Sequence, residues 1–262
     1  MVLLSIVAGV FSKLNSVSVS VILIPGLLGF SDFVSLNSID VLLILIATSL
    51  SASIPLSVLY FIEVAKRSLE ESTVLAKTAT RVALLSILFS QILGVIPPLY
   101  GQYVYWFTLL LLTLGLAYKT ILNGLNNVFD VRSKEQSSLI YYSGLMSVSI
   151  GGIGSEWRGV FADRDKEADK YGGFAFLSVF IALPACLGFV FPGLPVPLIE
   201  QNPALSGWML GYICWPLSIV IFVSATLGQL MVRQHKNAVD VVWLNYILII
   251  YLIASALRMI IP

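Results

Sequence analysis

The sequence predicts an all-α membrane protein: one polytopic domain over residues 1–262, with seven to eight, at most nine, helices. Of its 262 residues, 58% are hydrophobic and only 11% are charged, and the mean hydropathy is +0.95. Apolar stretches of about 18 to 25 residues recur along the chain, and a helix of that length crosses about 30 Å of hydrocarbon with its backbone hydrogen-bonded internally. The candidate spans lie near residues 2–29, 40–62, 82–98, 103–127, 138–154, 173–192, 206–231 and 239–261.

The first stretch, 2–29, runs past Lys13 without the basic segment, short apolar region and small-residue cleavage site of a signal peptide. We therefore interpret it as the first helix. In the fourth stretch, an aromatic group near its start predicts an interfacial belt, which is the usual position of Tyr and Trp in membrane helices. Its members are Tyr100, Tyr103, Tyr105 and Trp106.

The fifth stretch, 138–154, is the least apolar and is rich in serine and glycine, including Ser147, Ser149 and Gly151. Such small polar residues suit close packing between helices or a re-entrant turn buried in protein. We expect seven spans if this segment does not cross the membrane and eight if it does. Prolines within other spans provide sites for kinks. They are Pro25, Pro55, Pro184 and Pro216.

The distribution of basic residues predicts orientation. Four connections are basic, whereas those around 31–38, 97–102 and 192–206 contain no Lys or Arg. By the positive-inside rule the basic loops are cytoplasmic. If 138–154 does not cross, they all lie on one side, with the amino terminus inside and the carboxyl terminus outside. The basic residues are Lys66, Arg67, Lys77, Arg81, Arg132, Lys134, Arg158, Arg164, Lys166, Lys170, Arg233 and Lys236.

Cys186 and Cys214 fall in or beside apolar spans, and we interpret them as small buried hydrophobic residues. The net charge of +1 argues neither for nor against nucleic acid, but the sequence has no basic patch interleaved with aromatic residues, so we expect no nucleic-acid partner.

An acidic cluster, Asp163 to Gly172, packs four acids and three bases into ten residues. Asp165 and Asp169 are four residues apart, so on a helix they share a face and can share a divalent ion, which Asp163 would approach from a bend. The alternative is a solvated set of salt bridges with neighbouring bases. The chain enters an apolar span directly after the cluster, so we expect the cluster at the bilayer surface.

The stretch from Arg158 to Gly172 resembles the second aspartate-rich motif of the UbiA-type membrane prenyltransferases, in which Arg and Asp-xxx-Asp precede a Gly and three closing helices. Thr78 and Arg81 match the Thr-xx-Arg half of that family's first motif. Where the family has aspartates, this chain has the glutamates Glu70 and Glu71.

The resemblance implies a Mg²⁺-dependent prenyltransferase that handles an isoprenoid diphosphate at the cytoplasmic membrane interface, among membrane lipids. It implies catalytic roles for Asp165 and Asp169, which would ionise the diphosphate with the metal. The metal ligands it implies are Asp163, Asp165, Asp169, Glu70 and Glu71. The diphosphate-binding residues it implies are Arg158, Lys77, Arg81 and Lys170.

Two other functions stay open from the sequence. One is a membrane transporter, channel or lipid-handling protein, for which Lys119 is the only basic candidate near the middle of a span. The other is a non-catalytic subunit of a membrane complex, because Val239 to Leu244 resembles the start of the last helix of cytochrome oxidase subunit III. In that segment, Asp240 suits a helix start and Trp243 an interfacial anchor.

Overall fold

The computed structural model describes residues 1–15, 17–31, 38–65, 72–125, 145–153, 171–191, 203–233 and 241–260. The predicted all-α class is confirmed, with one small β-hairpin added. The described residues form eight long α-helices: α1 Val2–Asn15, α2 Val19–Ser31, α3 Ser38–Ala65, α4 Ser72–Val95, α5 Pro98–Leu125, α6 Tyr171–Val190, α7 Trp215–Arg233 and α8 Val241–Ile260. The described residues also include two short 3-10 helices, Val148–Ile150 and Pro203–Trp208. A β-hairpin is formed by the strands β1 Met209–Leu210 and β2 Ile213–Cys214.

Three of the described helices are long and apolar enough to cross a membrane, over Val41–Val58, Leu99–Tyr118 and Trp215–Val232. Five other apolar segments are shorter, namely Val2–Leu14, Val19–Leu28, Thr80–Val95, Ser178–Val190 and Trp243–Leu257. The seven to eight spans expected from the sequence therefore stay a prediction.

The outer faces of several helices are apolar. Leu88 and Ile92 of α4, Leu114 of α5 and Ile250 of α8 each expose more than half of their surface. Continuous apolar surface of this kind is unfavourable in water and favourable against lipid tails. The inner faces meet in one hydrophobic cluster to which all eight helices contribute.

The predicted first span, 2–29, is two helices rather than one. Helix α1 ends at Asn15 and α2 begins at Val19, so the arms have 14 and 13 residues. A Cβ built at Gly26 would lie 2.7 Å from Leu4 Cδ2, which brings opposite ends of the segment together. The two helices therefore form an antiparallel hairpin, and each arm is about 20 Å long, short of a 30 Å bilayer core. The residues at its turn, Val17 and Ser18, are buried.

Close backbone approach holds α1 against α7. A Cβ at Gly9 would lie 2.2 Å from the Ala225 carbonyl oxygen, and a Cβ at Gly228 would lie 2.1 Å from the Ile6 carbonyl oxygen. Neither distance leaves room for a side chain. Glycine at these positions lets the helices pack backbone to backbone, the arrangement that small residues permit between membrane helices.

Within the predicted stretch 138–154, the described part is not a spanning helix. Residues 145–147 form one helical turn, and the 3-10 helix Val148–Ile150 follows. Gly151 then ends the helix with φ +68°, and its N–H donates to the Val148 carbonyl. This segment packs against α2, α3, α4, α5 and α6. We call residues 145–153 the buried turn. Whether the stretch 138–154 re-enters on the side it came from stays a prediction.

Two further boundaries differ from the sequence prediction. The break between α4 and α5 falls at Ile96–Pro97, and Pro98 begins α5. The predicted span 206–231 begins as a β-hairpin, and its helix starts only at Trp215. Pro216 therefore lies in the first turn of α7, where its missing N–H breaks no helical hydrogen bond.

Candidate functional site

Most of the side chains proposed from the sequence lie outside the described residues. This group comprises Asp163, Asp165, Asp169, Arg158, Lys170, Glu70 and Glu71. Lys77 and Arg81 lie on α4, four residues apart and so on one helical face, and Arg81 is exposed. The resemblance implies one metal site that contains both the glutamates Glu70 and Glu71 and the aspartates of the acidic cluster. That shared site stays a prediction.

In the part of the chain that the structure describes, no three His, Cys, Asp or Glu side chains are grouped to hold a metal ion. Cys186 is buried and Cys214 is half-buried, and both are free thiols. Of the segment that resembles the oxidase subunit, Asp240 lies outside the described residues, and Trp243 is exposed on α8 as an interfacial anchor would be.

Buried hydroxyl side chains occur on most of the described helices, and one group of them lies on the buried turn and on the helices that pack against it. We call five of them the hydroxyl seam: Ser49 of α3, Tyr105 and Thr108 of α5, and Ser147 and Ser149 of the turn. Every one of the five is buried. They lie where three elements meet, because the turn packs against both α3 and α5. An interior polar group of this kind is the candidate site that the structure offers.

One direct bond links the turn to α5. Ser149 Oγ lies 2.9 Å from Thr108 Oγ1 and 2.7 Å from the Met146 carbonyl oxygen. The Thr108 hydroxyl donates to the Val104 carbonyl at 2.9 Å, so its oxygen can accept. Ser149 has one proton, which it shares between Thr108 Oγ1 and the Met146 carbonyl oxygen. This contact fixes the position of the turn against the middle of α5.

Gly151 fixes the turn against α3. A Cβ at this residue would lie 2.4 Å from Ser49 Oγ and 3.1 Å from the Ile46 carbonyl oxygen. The positive φ is also one that residues with a side chain rarely adopt. Space and backbone conformation therefore both require glycine here.

Two members of the seam have no hydrogen-bond partner among the described residues. The Tyr105 hydroxyl and Ser147 Oγ are both fully buried, and neither contacts a donor or acceptor at bonding distance there. A buried polar group without a partner is unfavourable by about 1 to 3 kcal/mol, and native structures contain few of them. Tyr105 lies one turn from Thr108, and Ser147 lies two residues from Ser149. Each unpaired hydroxyl therefore belongs to the same element as one member of the bonded pair.

A second phenol binds the amino-terminal hairpin. Tyr251 of α8 donates its hydroxyl proton to the Ile22 carbonyl of α2 at 2.7 Å. A Cβ at Gly26 would lie 2.9 Å from the Tyr251 hydroxyl oxygen, so α2 passes directly over it.

Many other buried hydroxyls on the helices bond to their own helix and carry no sign of a site. Ser86 donates to the Val82 carbonyl, Thr113 to Leu109 and Thr120 to Leu116, each at 2.7 Å. Such bonds use the hydroxyl proton and leave the oxygen able to accept, as they do at Ser49 and Thr108, which also donate to their own helices.

The position of Tyr105 differs from the sequence prediction, which assigned this residue to an interfacial belt. Tyr105 is 0% exposed, while Tyr100 and Tyr103 are 60% and 63% exposed. Helical spacing could have found it, because Tyr105, Thr108 and Leu112 recur at intervals of three and four on the buried face. From the sequence, Ser147 and Ser149 are predicted only as small polar residues that suit close packing or a re-entrant turn.

The chain matches no protein-family model, and neither curated proteins nor solved structures give a match.

Proposed function

We propose that this chain is a multi-pass membrane transport protein whose substrate passes through the hydroxyl seam. One observation carries the proposal: the non-helical buried turn, with the unpaired hydroxyl of Ser147, lies inside a largely apolar bundle, and the unpaired Tyr105 hydroxyl lies on α5, which packs against it. Non-helical backbone at membrane depth is tolerated only where protein buries it or where it lines a polar route. Interrupted helices at such depths are the usual place of substrate sites in transporters.

The amino-terminal hairpin supports the same function. It is a second element too short to span, and its turn is buried against the rest of the bundle. Gly151 of the buried turn lies beside Ile24 of α2, so the buried turn and the amino-terminal hairpin meet in the interior. In this proposal they frame the route together.

Reconstitution tests transport directly. Purified protein in liposomes should increase the passage of at least one class of small solute, measured against empty liposomes. The panel comprises water, ammonia, glycerol, Na⁺, K⁺ and Cl⁻. Passage equal to that of empty liposomes for every member would overturn the proposal.

A second function rests on the acidic cluster, as an isoprenoid diphosphate transferase. The observation in its favour is that Lys77 and Arg81 share one face of α4, soon after Glu70 and Glu71 in the chain. In this proposal Asp163, Asp165 and Asp169 would hold Mg²⁺, which would supply positive charge to a departing diphosphate. Arg158, Lys77, Arg81 and Lys170 would hold the diphosphate oxygens through charge-assisted hydrogen bonds.

The transferase proposal predicts Mg²⁺-dependent binding of a prenyl diphosphate, measured by calorimetry in detergent. Asp165→Ala should abolish that binding, because it removes a metal ligand. Asp240→Ala, which changes an acid outside the cluster, is the matched control. Binding that survives both substitutions, or that needs no Mg²⁺, would contradict this assignment.

A further inference from the structure

The outward face of α5 is a helical stripe with a tyrosine at each end. Intervals of three and four residues keep its members on one face of the helix, and each exposes at least half of its surface. Between the two tyrosines, every exposed residue of α5 is apolar. Lipid tails are the favourable environment for such a stripe. Its members are Tyr103, Phe107, Leu110, Leu114 and Tyr118.

The two terminal tyrosines measure how much of the stripe lies in hydrocarbon. Tyrosine in a membrane helix prefers the headgroup level, where its ring meets apolar groups and its hydroxyl meets water. Tyr103 and Tyr118 are fifteen residues apart, which is about 22 Å at a rise of about 1.5 Å per residue. Helical side chains lean towards the amino terminus, so both phenols shift in the same direction and keep this separation. Tilt of α5 would only shorten its projection across the membrane.

The sequence of α5 becomes more polar on both sides of this interval. Gln102 precedes Tyr103, and Lys119 and Asn123 follow Tyr118, whereas residues 104–117 contain no charged residue. Beyond Tyr118, the exposed Ile121 lies between these polar positions. The apolar part of the helix therefore ends where its outward tyrosines stand.

Two other helices have outward faces of similar length. Helix α7 begins at the exposed Trp215, and its exposed residues are apolar as far as Met231, sixteen residues later. On α8 the exposed Trp243 begins a face that is apolar or aromatic as far as Leu257, fourteen residues later. These faces are about 24 Å and about 21 Å long. Each has a tryptophan at its first residue, which is a residue of the membrane interface.

We infer that the outer surface of this protein fits a thin bilayer, whose hydrocarbon core is about 22 Å thick rather than about 30 Å. About fifteen helical residues cross such a core. The segments Thr80–Val95 and Trp243–Leu257 are then long enough to cross, whereas the hairpin segments Val2–Leu14 and Val19–Leu28 stay shorter. Lys119 then lies at the end of its span rather than near the middle. The inference uses only the membrane location, so it stands or falls separately from transport.

Stability in lipids of different chain length tests this fit. The protein is reconstituted in dimyristoleoyl, dioleoyl and dierucoyl phosphatidylcholine, and tryptophan fluorescence gives the thermal unfolding midpoint in each. We expect the highest midpoint in dimyristoleoyl, the thinnest bilayer, because mismatch between protein and bilayer thickness is unfavourable. A highest midpoint in dioleoyl or dierucoyl lipid would overturn the inference.

A variant with a longer apolar face separates thickness from a general effect of short lipids. Tyr118→Leu with Lys119→Leu extends the face of α5 by about one turn, so the highest midpoint should shift to dioleoyl lipid. Tyr118→Trp keeps an interfacial aromatic residue and is the control, whose preferred lipid should not change. An unchanged preference in the extended variant would show that the end of the stripe does not set the thickness.

Cysteine labelling locates the boundary without any change in the length of the face. Cys186 and Cys214 are first changed to alanine, and a polar maleimide is then supplied on both sides of dimyristoleoyl liposomes. Tyr103→Cys, Tyr118→Cys and Ile121→Cys should react, because their thiols meet water and ionise there, while Leu110→Cys should stay unlabelled. Protection at Tyr118 and Ile121 equal to that at Leu110 would place both in hydrocarbon and overturn the inference.

Discussion

At the scale of single residues, two residues of common types, Gly151 and Tyr105, have unusual environments in the interior. Gly151 is one of many glycines in the sequence, yet it combines a φ of +68° with a contact that excludes a Cβ. Tyr105 is one of eleven tyrosines, yet its hydroxyl is fully buried without a partner among the described residues. Gly151 belongs to the contact between the buried turn and α3, and Tyr105 lies on α5, which also packs against that turn.

Gly151→Ala should destabilise the protein by about 1 to 3 kcal/mol, because the new Cβ meets Ser49 Oγ and the backbone is strained. The measurement is the unfolding midpoint in detergent as SDS is added. Gly101→Ala is the matched control, since nothing lies within 4 Å of a Cβ at that position. It should equal or exceed the wild-type stability, because alanine is favoured over glycine inside a helix. Equal stability of the two variants would show that the turn does not pack as described.

At the scale of elements, the amino-terminal hairpin is the largest departure from the sequence prediction. Residues 2–29 read as one apolar stretch, because both arms are apolar and the break contains only small or β-branched residues. The break between α1 and α2 can be identified only from the way the two helices pack against the rest of the bundle. Helix α1 lies against α7 through Gly9 and Gly228, while α2 turns back into the core.

A disulfide cross-link can distinguish a hairpin from a single continuous helix over residues 2–29. In a background with Cys186 and Cys214 changed to alanine, Leu4→Cys with Gly26→Cys should form a disulfide on mild oxidation. In a continuous helix those positions would be about 33 Å apart, far beyond the reach of a disulfide. Val7→Cys with Gly26→Cys is the control, because Val7 is exposed and faces outward. Gel mobility with and without reductant reads the result, and failure of the first pair to link would refute the hairpin.

At the scale of the whole molecule, the described structure establishes a helical bundle with apolar outer faces, and orientation in the membrane stays a prediction. All the strongly basic connections should face the cytoplasm. This common orientation requires that the stretch 138–154 does not cross the membrane, which is itself a prediction.

Cysteine labelling tests that orientation. Single cysteines at Ser68 and at Tyr171, in the cysteine-free background, should react with a membrane-impermeant maleimide only when the cytoplasmic face is open to it. A cysteine at Gly207, in a connection without Lys or Arg, should react from the opposite face. Labelling of Ser68 and Tyr171 from different faces would refute the common orientation of the basic loops.

The sequence by itself determined the class of the fold and the approximate positions of most helices, because apolar composition and length are local properties. Helices α3, α6 and α8 begin and end within a few residues of their predicted spans. It could not determine which apolar stretches are interrupted. That depends on contacts between distant residues, such as Gly26 with Leu4 and Ser149 with Thr108.

The two candidate sites also differ in how far the sequence could predict them. A cluster of charge is a local feature of the chain, so Asp165 and its neighbours could be proposed from the order of the residues alone. The hydroxyl seam is assembled from three elements far apart in sequence, and its members are common residues. Only the tertiary structure decided that Tyr105 and Ser147 lie buried and unpaired within the described chain, because burial is set by the neighbours that the fold supplies.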